Sequence, residues 1–432
     1  MRKKILITTF GFMGDLNPYI ALARRLKEEA HSPIIATSEY HRATVKKAGI
    51  DFYPVRPDID AGDYKLVSRV MQPKTGPEIL IKEIMLSHLK ESYQDLLKAA
   101  QDSDLLITHP LTFAGPLVAE KTKIPWISTV LTPISFFSAY DFPVLPPYPY
   151  LKKLDFLAPW TGKLFLRFAH VMTRHLRGPI RQLRAEIGLP PGKDPIFEGQ
   201  YSPEMTLGLF SPLLVKQMPD WPQDTRITGF LFYDNALDEG IEDSESSRRL
   251  EKFLDSGPPP VVFTLGSSAV IAADEFYRDS IEAARILGIR AVLLAGKDLK
   301  NRPAEPLPDK FAVFEYLPHS KIFPRAAAVV HHGGIGTTAQ ALRAGKAMLI
   351  VPFAFDQPDN AFRLHRLGIA RTVYRHRYSA RRAARELKIL LENPEYLKRA
   401  EEAGRAVRCE NGQELACNAI KEIAGFSRVQ KY

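Results

Sequence analysis

Short β-branched runs alternate with helical patterns through both halves of the chain, a rhythm satisfied by parallel sheets covered on both faces by helices. In the first half the strand candidates are Lys4 to Thr9, Pro33 to Thr37, Asp51 to Val55, Asp104 to Thr108 and Pro125 to Val130. Pro18 to Glu29, where Leu22 and Leu26 repeat at helical spacing, and Gly76 to Ala100 read as helices between them. In the second half the strands are Val261 to Leu265, Ala291 to Ala295, Ala312 to Glu315, Ala327 to His331 and Ala347 to Val351. At 432 residues the chain exceeds what one core usually serves, so the pattern predicts two α/β, doubly wound domains of roughly 200 residues each.

The rhythm breaks twice. Pro219-Asp220-Trp221-Pro222-Gln223-Asp224 marks a junction, giving a first domain 1–218 and a second 219–412, with a last helix in 413–432 expected to pack back on the first domain. Within the first domain, about 133–187 reads as an insertion. Phe136, Phe137, Tyr140, Phe142, Tyr148, Tyr150, Phe156 and Trp160 lie among prolines, before a long helix near Thr161 to Ile187. Proline excludes central strands here. The segment either buries its own aromatics or forms an apolar lip for a lipophilic substrate, in the kind of loop where specificity resides.

With 45% hydrophobic residues both domains can fill ordinary cores, and the two cysteines, Cys409 and Cys417, give neither a disulfide framework nor a metal ligand set. A reducing, cytoplasmic setting is expected. Met1-Arg2-Lys3-Lys4 leads into a strand, not a signal-peptide core, and charges or prolines interrupt every long apolar run. The net charge of +10 comes with arginine clusters at Arg174 to Arg184 and Arg371 to Arg385. These read as solvated helix faces, and leave peripheral association with an anionic membrane open. No nucleic-acid partner is expected, since aromatics do not interleave with the basic residues.

In open parallel sheets ligands gather at the carboxyl ends of strands, where helix N-termini present free amides. Strand Ala327 to His331 runs straight into His332-Gly333-Gly334-Ile335-Gly336-Thr337-Thr338 and then a helix, Ala339 to Ala344. Glycines let the backbone approach a diphosphate, the helix end supplies positive potential, and a histidine can donate to a phosphate oxygen. Leu265-Gly266-Ser267-Ser268 ends a second strand with hydroxyls and amides. Pro352-Phe353-Ala354-Phe355-Asp356-Gln357 follows a third with a carboxylate beside an amide, a pair suited to vicinal sugar hydroxyls. Tyr316-Leu317-Pro318-His319 closes a fourth, where exposed backbone could pair with a base edge.

This set, in this order, resembles the signature of the UDP-glycosyltransferase superfamily and its bacterial antibiotic, sterol and rhamnolipid relatives, closely over Val261 to Ala370 and loosely elsewhere. The resemblance implies the GT-B fold, two Rossmann-like domains facing across a cleft with the donor in the second. It assigns His331, with Gly333, Gly334, Gly336, Thr337, Ser267 and Ser268, to the diphosphate, Asp356 and Gln357 to the sugar, and Leu317 to the base. One departure bears on the nucleotide. The plant and animal pattern keeps a ribose-binding glutamate where this chain has Ala339, so a dTDP-sugar is as compatible as a UDP-sugar held by Gln340.

Transfer to a hydroxyl needs a base from the acceptor domain. Gly11-Phe12-Met13-Gly14-Asp15 follows the first strand, and Asp15 either caps the next helix or acts as that base. In eukaryotic relatives a histidine holds this place, oriented by an aspartate after a later strand. Here the two residue types are exchanged, with His109 after Asp104 to Thr108, so Asp15 and His109 are the catalytic candidates, in either order of base and orienter. The expected activity is inverting, metal-independent transfer of a hexose from UDP-glucose or a dTDP-sugar to a hydroxyl of a hydrophobic small molecule, with no cofactor and no Asp-x-Asp metal motif. Alternatives are a GT-B nucleotide-sugar 2-epimerase and a non-catalytic nucleotide-sugar or lipid-binding protein. Gly11-Phe12-Met13-Gly14 has the wrong spacing for a dehydrogenase fingerprint.

Overall fold

The computed structural model describes residues 2–59, 63–145, 152, 158–234, 245–303 and 305–426. Among them the chain builds two parallel sheets. The first contains β1 (Lys4–Thr8), β2 (Ser32–Thr37), β3 (Asp51–Pro54), β4 (Leu105–Thr108), β5 (Trp126–Val130), β6 (Met205–Gly208) and β7 (Thr225–Ile227), in spatial order β3-β2-β1-β4-β5-β6-β7. The second contains β8 (Val261–Thr264), β9 (Ala291–Leu294), β10 (Phe311–Phe314), β11 (Ala328–His331), β12 (Met348–Ile350) and β13 (Ala370–Thr372), in order β10-β9-β8-β11-β12-β13. β4, β8 and β11 are buried along their whole length, as strands covered on both faces must be.

Each sheet reverses its direction of growth once, between β1 and β4 and between β8 and β11. At such a switch point the connections leave on opposite faces and open a crevice at the carboxyl edge. The register sets Thr8 beside Thr108 and Thr264 beside His331, so the two turns that follow each pair begin as neighbours.

Several boundaries differ from the sequence expectation. β7 pairs with β6, so the first sheet runs on to Ile227 and the junction drawn at 218/219 moves beyond it. The Pro219 to Asp224 break is an internal loop, because strand pairing, not composition, decides which sheet a segment joins. The helix expected over 76–100 is broken by an i→i+5 stretch at Ile79–Leu86. The one expected over 161–187 divides at a 3₁₀ turn, Arg174–Arg177, before Gly178-Pro179 starts a new helix. Of the insertion's aromatics, Phe136 stacks on Trp221 (centroids 3.9 Å apart) and Phe142 meets Phe165 edge-on, both buried, whereas Tyr140 and Trp160 are exposed. Tyr148, Tyr150 and Phe156 lie outside the described residues, as does most of Asp234 to Ser247.

The helices that carry the site are α1 (Met13–Glu28), α2 (Trp160–Met172), α3 (Gly178–Glu186), α4 (Ile335–Arg343), α5 (Gln357–Arg366) and α6 (Gly412–Phe426). α6 sets Ala416, Cys417, Ala419 and Ile420 into the core that holds Leu16, Tyr19 and Ile20, so the last helix among the described residues packs on the first domain. The domains also touch at the cleft floor. Gly14 faces Gly336, where an added β carbon would lie 3.6 Å from the Gly14 Cα, and Phe355 packs against the cores of both halves.

A buried charge network ties the insertion to α5. Arg363 Nε pairs with Asp359 Oδ2 and Arg363 Nη2 with Asp141 Oδ2, each at 2.6 Å, while Lys152 Nζ reaches Asp141 Oδ1 at 2.9 Å. Asp359 Oδ1 accepts the Val144 N–H at 3.0 Å. No helix among the described residues is long and apolar enough to cross a membrane.

Candidate active site

The first crevice is built by the turn after β1. Gly11 has φ +133°, a backbone conformation open to glycine, and a β carbon there would collide with the Asp15 carboxylate. His41 Nε2 donates to Gly11 O at 2.9 Å and braces the turn from the segment after β2, a contact with no signal in the sequence. Asp15 stands in the first turn of α1, where its Oδ2 accepts the Phe12 N–H at 3.0 Å. Asp15 therefore does cap its helix, and its other oxygen, Oδ1, lies 3.9 Å from Nε2 of His109.

His109 follows β4, the strand beside β1. Its Nδ1 accepts the Leu111 N–H at 3.2 Å, which assigns the neutral ring's hydrogen to Nε2, the atom facing Asp15. Burial holds the imidazole neutral, down at about 3. Tyr19 meets the ring edge-on at 6.1 Å, and its hydroxyl bonds Thr129 Oγ1 at 2.6 Å. Desolvation raises the Asp15 carboxyl to about 6, against the lowering effect of the Phe12 N–H.

The second crevice opens after β8 and β11. Gly266 (φ +67°) and Gly333 (φ +89°) make the bends, and Gly334 caps α4, whose first N–H groups have no partner within the helix. Ser267 is exposed, Ser268 half-buried and Thr337 buried on this rim. The two histidines differ. His331 is fully enclosed, with Nδ1 accepting the Gly333 N–H at 3.1 Å and Nε2 making no hydrogen bond among the described residues. His332, 6% exposed, holds its ring between Gly266 and Gly334. Alternation along the strand separates the two rings, because neighbours point to opposite faces. Desolvation keeps His332 neutral, at about 3.

The Leu317 side chain is buried in the second domain's core, so only its backbone could meet a base; among the described residues its N–H and C=O make no hydrogen bond. Ala339 also points into that core, whereas Gln340, the next residue of α4, is half-buried. Gln340 Nε2 donates to Asp234 Oδ1 at 2.9 Å and its carbonyl accepts from Arg343 Nη2 at 2.8 Å.

Asp356 precedes α5 directly, behind Phe355 in a left-handed conformation (φ +54°) rare for a bulky side chain. Its Oδ2 accepts from Asn360 Nδ2 at 2.7 Å; the same amide donates to Gly333 O at 2.9 Å, and Thr132 Oγ1 donates to Asn360 Oδ1 at 3.2 Å. Asn360, which the sequence reading missed, thus joins Asp356, the Gly333 turn and the first domain. Gln357 is buried, its amide oxygen accepting from Phe353 N and Ala354 N, so only its NH₂ end remains for a ligand. Burial raises Asp356 to about 7, and the charge of Asp15 adds to the rise.

Two Rossmann-like sheets with opposed switch-point crevices, an anion turn on one side and a desolvated carboxylate on the other, make the class a GT-B glycosyltransferase. Residues 5–137 match the glycosyltransferase family 28 N-terminal domain, and residues 290–416 match the erythromycin biosynthesis protein CIII-like C-terminal domain. O-mycaminosyltylonolide 6-deoxyallosyltransferase of Streptomyces fradiae is 32% identical over 434 residues, covering 98% of this chain and 97% of that enzyme. The sterol 3-beta-glucosyltransferase of Yarrowia lipolytica is 29% identical over 446 residues, where this chain spans only 30% of the relative's length. Among solved structures, the kitacinnamycin glycosyltransferase superposes with a TM-score of 0.72 at 20% identity, covering 98% of this chain and 99% of that one. VinC, in complex with dTDP, gives 0.66 at 19% identity with 98% and 99% coverage. The chain belongs to the UDP-glycosyltransferase superfamily, in the branch of the bacterial antibiotic and sterol glycosyltransferases.

Proposed function

We propose that this glycosyltransferase inverts configuration, works without metal, and moves a hexose from UDP-glucose or a dTDP-sugar to a hydroxyl of a lipophilic small molecule. The observation that carries the reading is the Asp15 carboxylate, raised to about 6 by desolvation, with Oδ1 3.9 Å from Nε2 of His109 at the end of the neighbouring strand. An acceptor hydroxyl near Oδ1 would give its proton to Asp15 while its oxygen forms the bond to the anomeric carbon and the diphosphate leaves from the opposite face. His109 is ill suited to be the base, because Nδ1 already accepts from Leu111; as an Nε2–H donor it would orient the carboxylate. His332 and the first amides of α4 would take up charge on the departing diphosphate, and Asp356 with the Gln357 NH₂ would hold sugar hydroxyls.

VinC in complex with dTDP and SsfS6 complexed with thymidine diphosphate favour trying a dTDP-sugar first. A thermal-shift screen of UDP-glucose against dTDP-sugars identifies the donor, since a ligand well above its Kd stabilises the protein measurably. Turnover with that donor, assayed with and without chelator, followed by determination of the product's anomeric configuration, tests the rest. Retention of configuration or loss of activity with chelator would sink the corresponding part of the reading.

A further inference from the structure

α2 exposes an apolar ridge that the reaction does not use. Trp160, Leu164, Phe168, Val171 and Met172, spaced i, i+4, i+8, i+11 and i+12, are 80%, 69%, 61%, 69% and 57% exposed. These positions form one face of the helix. The opposite face is firmly docked. Gly162 lies so close to Ala139 O that any β carbon would collide with it, Phe165 packs on Phe142, and His170 Nδ1 pairs with Asp194 at 2.9 Å. The ridge is therefore the outward side of a seated helix.

The charged residues of the segment that α2 begins are all of one sign, while Glu198 and Glu78 of neighbouring elements meet His170 and His175. Trp160 to Arg184 contains Lys163, Arg167, Arg174, Arg177, Arg181 and Arg184 and no acidic residue. Arg177 and Arg184 turn inward to Asp194 and Glu120. Lys163, Arg167, Arg174 and Arg181 are exposed and in no ion pair among the described residues. Lys163 and Arg167 fall along one border of the ridge at helical spacing. An apolar face bordered by cations, with tryptophan at its end, has the chemistry of a helix lying in a lipid headgroup layer, where the rings and aliphatic chains enter the acyl boundary and the cations meet anionic phosphates.

We infer that α2 docks this protein on an anionic lipid surface. Docking there sets the insertion that carries α2, which begins next to Thr132 and its contact with Asn360 beside Asp356, against the phase in which a lipophilic acceptor dissolves. That consequence, unlike the docking, rests on the reaction proposed above.

Trp160 supplies a direct readout. Trp126 and Trp221 are buried, so a blue shift of tryptophan emission on adding vesicles reports Trp160 entering lipid. With phosphatidylglycerol–phosphatidylcholine vesicles the full-length protein is expected to show the shift and to co-sediment, weakly at high salt and weakly with phosphatidylcholine alone. Leu164→Glu/Phe168→Glu should reduce the bound fraction at least about tenfold, and Lys163→Glu/Arg167→Glu about as much, since each basic residue near an anionic surface is worth about 1 kcal/mol, or roughly fivefold. Both variants keep the docked face, so unchanged melting and unchanged donor binding without lipid separate lost docking from lost fold or lost donor site. The inference is overturned if the wild type binds no vesicles, if the variants bind as well as it does, or if the ridge variant turns a dimer into a monomer while vesicles bind neither.

Discussion

Nε2 of His109 stands 3.9 Å from Oδ1 of Asp15, too far for a direct hydrogen bond and near enough for both to reach one bound hydroxyl. The geometry arises because β1 and β4 are adjacent at the switch point and each is followed at once by a turn. It leaves one desolvated carboxylate and one neutral N–H donor aimed at the same small volume.

Asp15→Asn separates base from cap. Asparagine keeps an oxygen for the Phe12 N–H, so α1 should start normally, while loss of a general base costs about 10²–10⁴ in kcat. Donor Kd by calorimetry should hold within about twofold, since that site lies on the other domain. Near-normal turnover in this variant would refute the assignment.

The pH profile should show one acid limb. Asp15 must be ionised to act, so kcat/KM should fall as pH drops below about 6, while His109, held at about 3, adds no ionisation between pH 5 and 9. Stability moves the other way. Asp15 and Asp356 have folded values, about 6 and about 7, above the ordinary 3.8, so their protonated forms favour the folded state. That contribution is complete below pH 3.8 and is lost as pH rises through 6 to 7. Asp356→Asn should therefore raise the melting temperature at pH 8 more than at pH 4, as read by thermal unfolding at both values.

The two histidines after β11 should behave oppositely. His332→Ala is expected to weaken donor binding about tenfold, the worth of a hydrogen bond to a charged group, with little change in melting. His331→Ala should leave donor Kd within about twofold but lower the melting temperature, because it empties a fully enclosed site. Calorimetry and thermal unfolding on both variants distinguish the assignments.

Arg363 neutralises Asp359 and Asp141 where water cannot. Arg363→Ala strands the buried Asp359 carboxylate, while Asp141 keeps Lys152, and should cost about 3–5 kcal/mol. Adding Asp359→Asn should recover much of the loss. Denaturant unfolding of the single and double variants measures both effects.

Much of the architecture was readable because strand runs, helix spacing and glycine turns are set by neighbours along the chain. The run Leu105–Ile107 is apolar without interruption, and Gly333 supplies the bend after β11. The segments Thr225–Ile227 and Ala370–Thr372 escaped notice because three residues containing arginine and threonine carry no periodic signal; pairing with β6 and β12 makes them strands.

By itself, then, the sequence determined two parallel-sheet domains, the turns that end their central strands, and the residue types gathered at those turns, since each follows from local propensity and hydrophobic pattern. Only the tertiary structure decided that His331 is enclosed while the His332 ring lies against Gly266 and Gly334, that Ala339 packs in the core while Gln340 is half-buried, and that Asn360 links Thr132 to Asp356. Those outcomes depend on how each strand and helix is rotated against its neighbours and on how two domains meet, and no spacing within one segment encodes either.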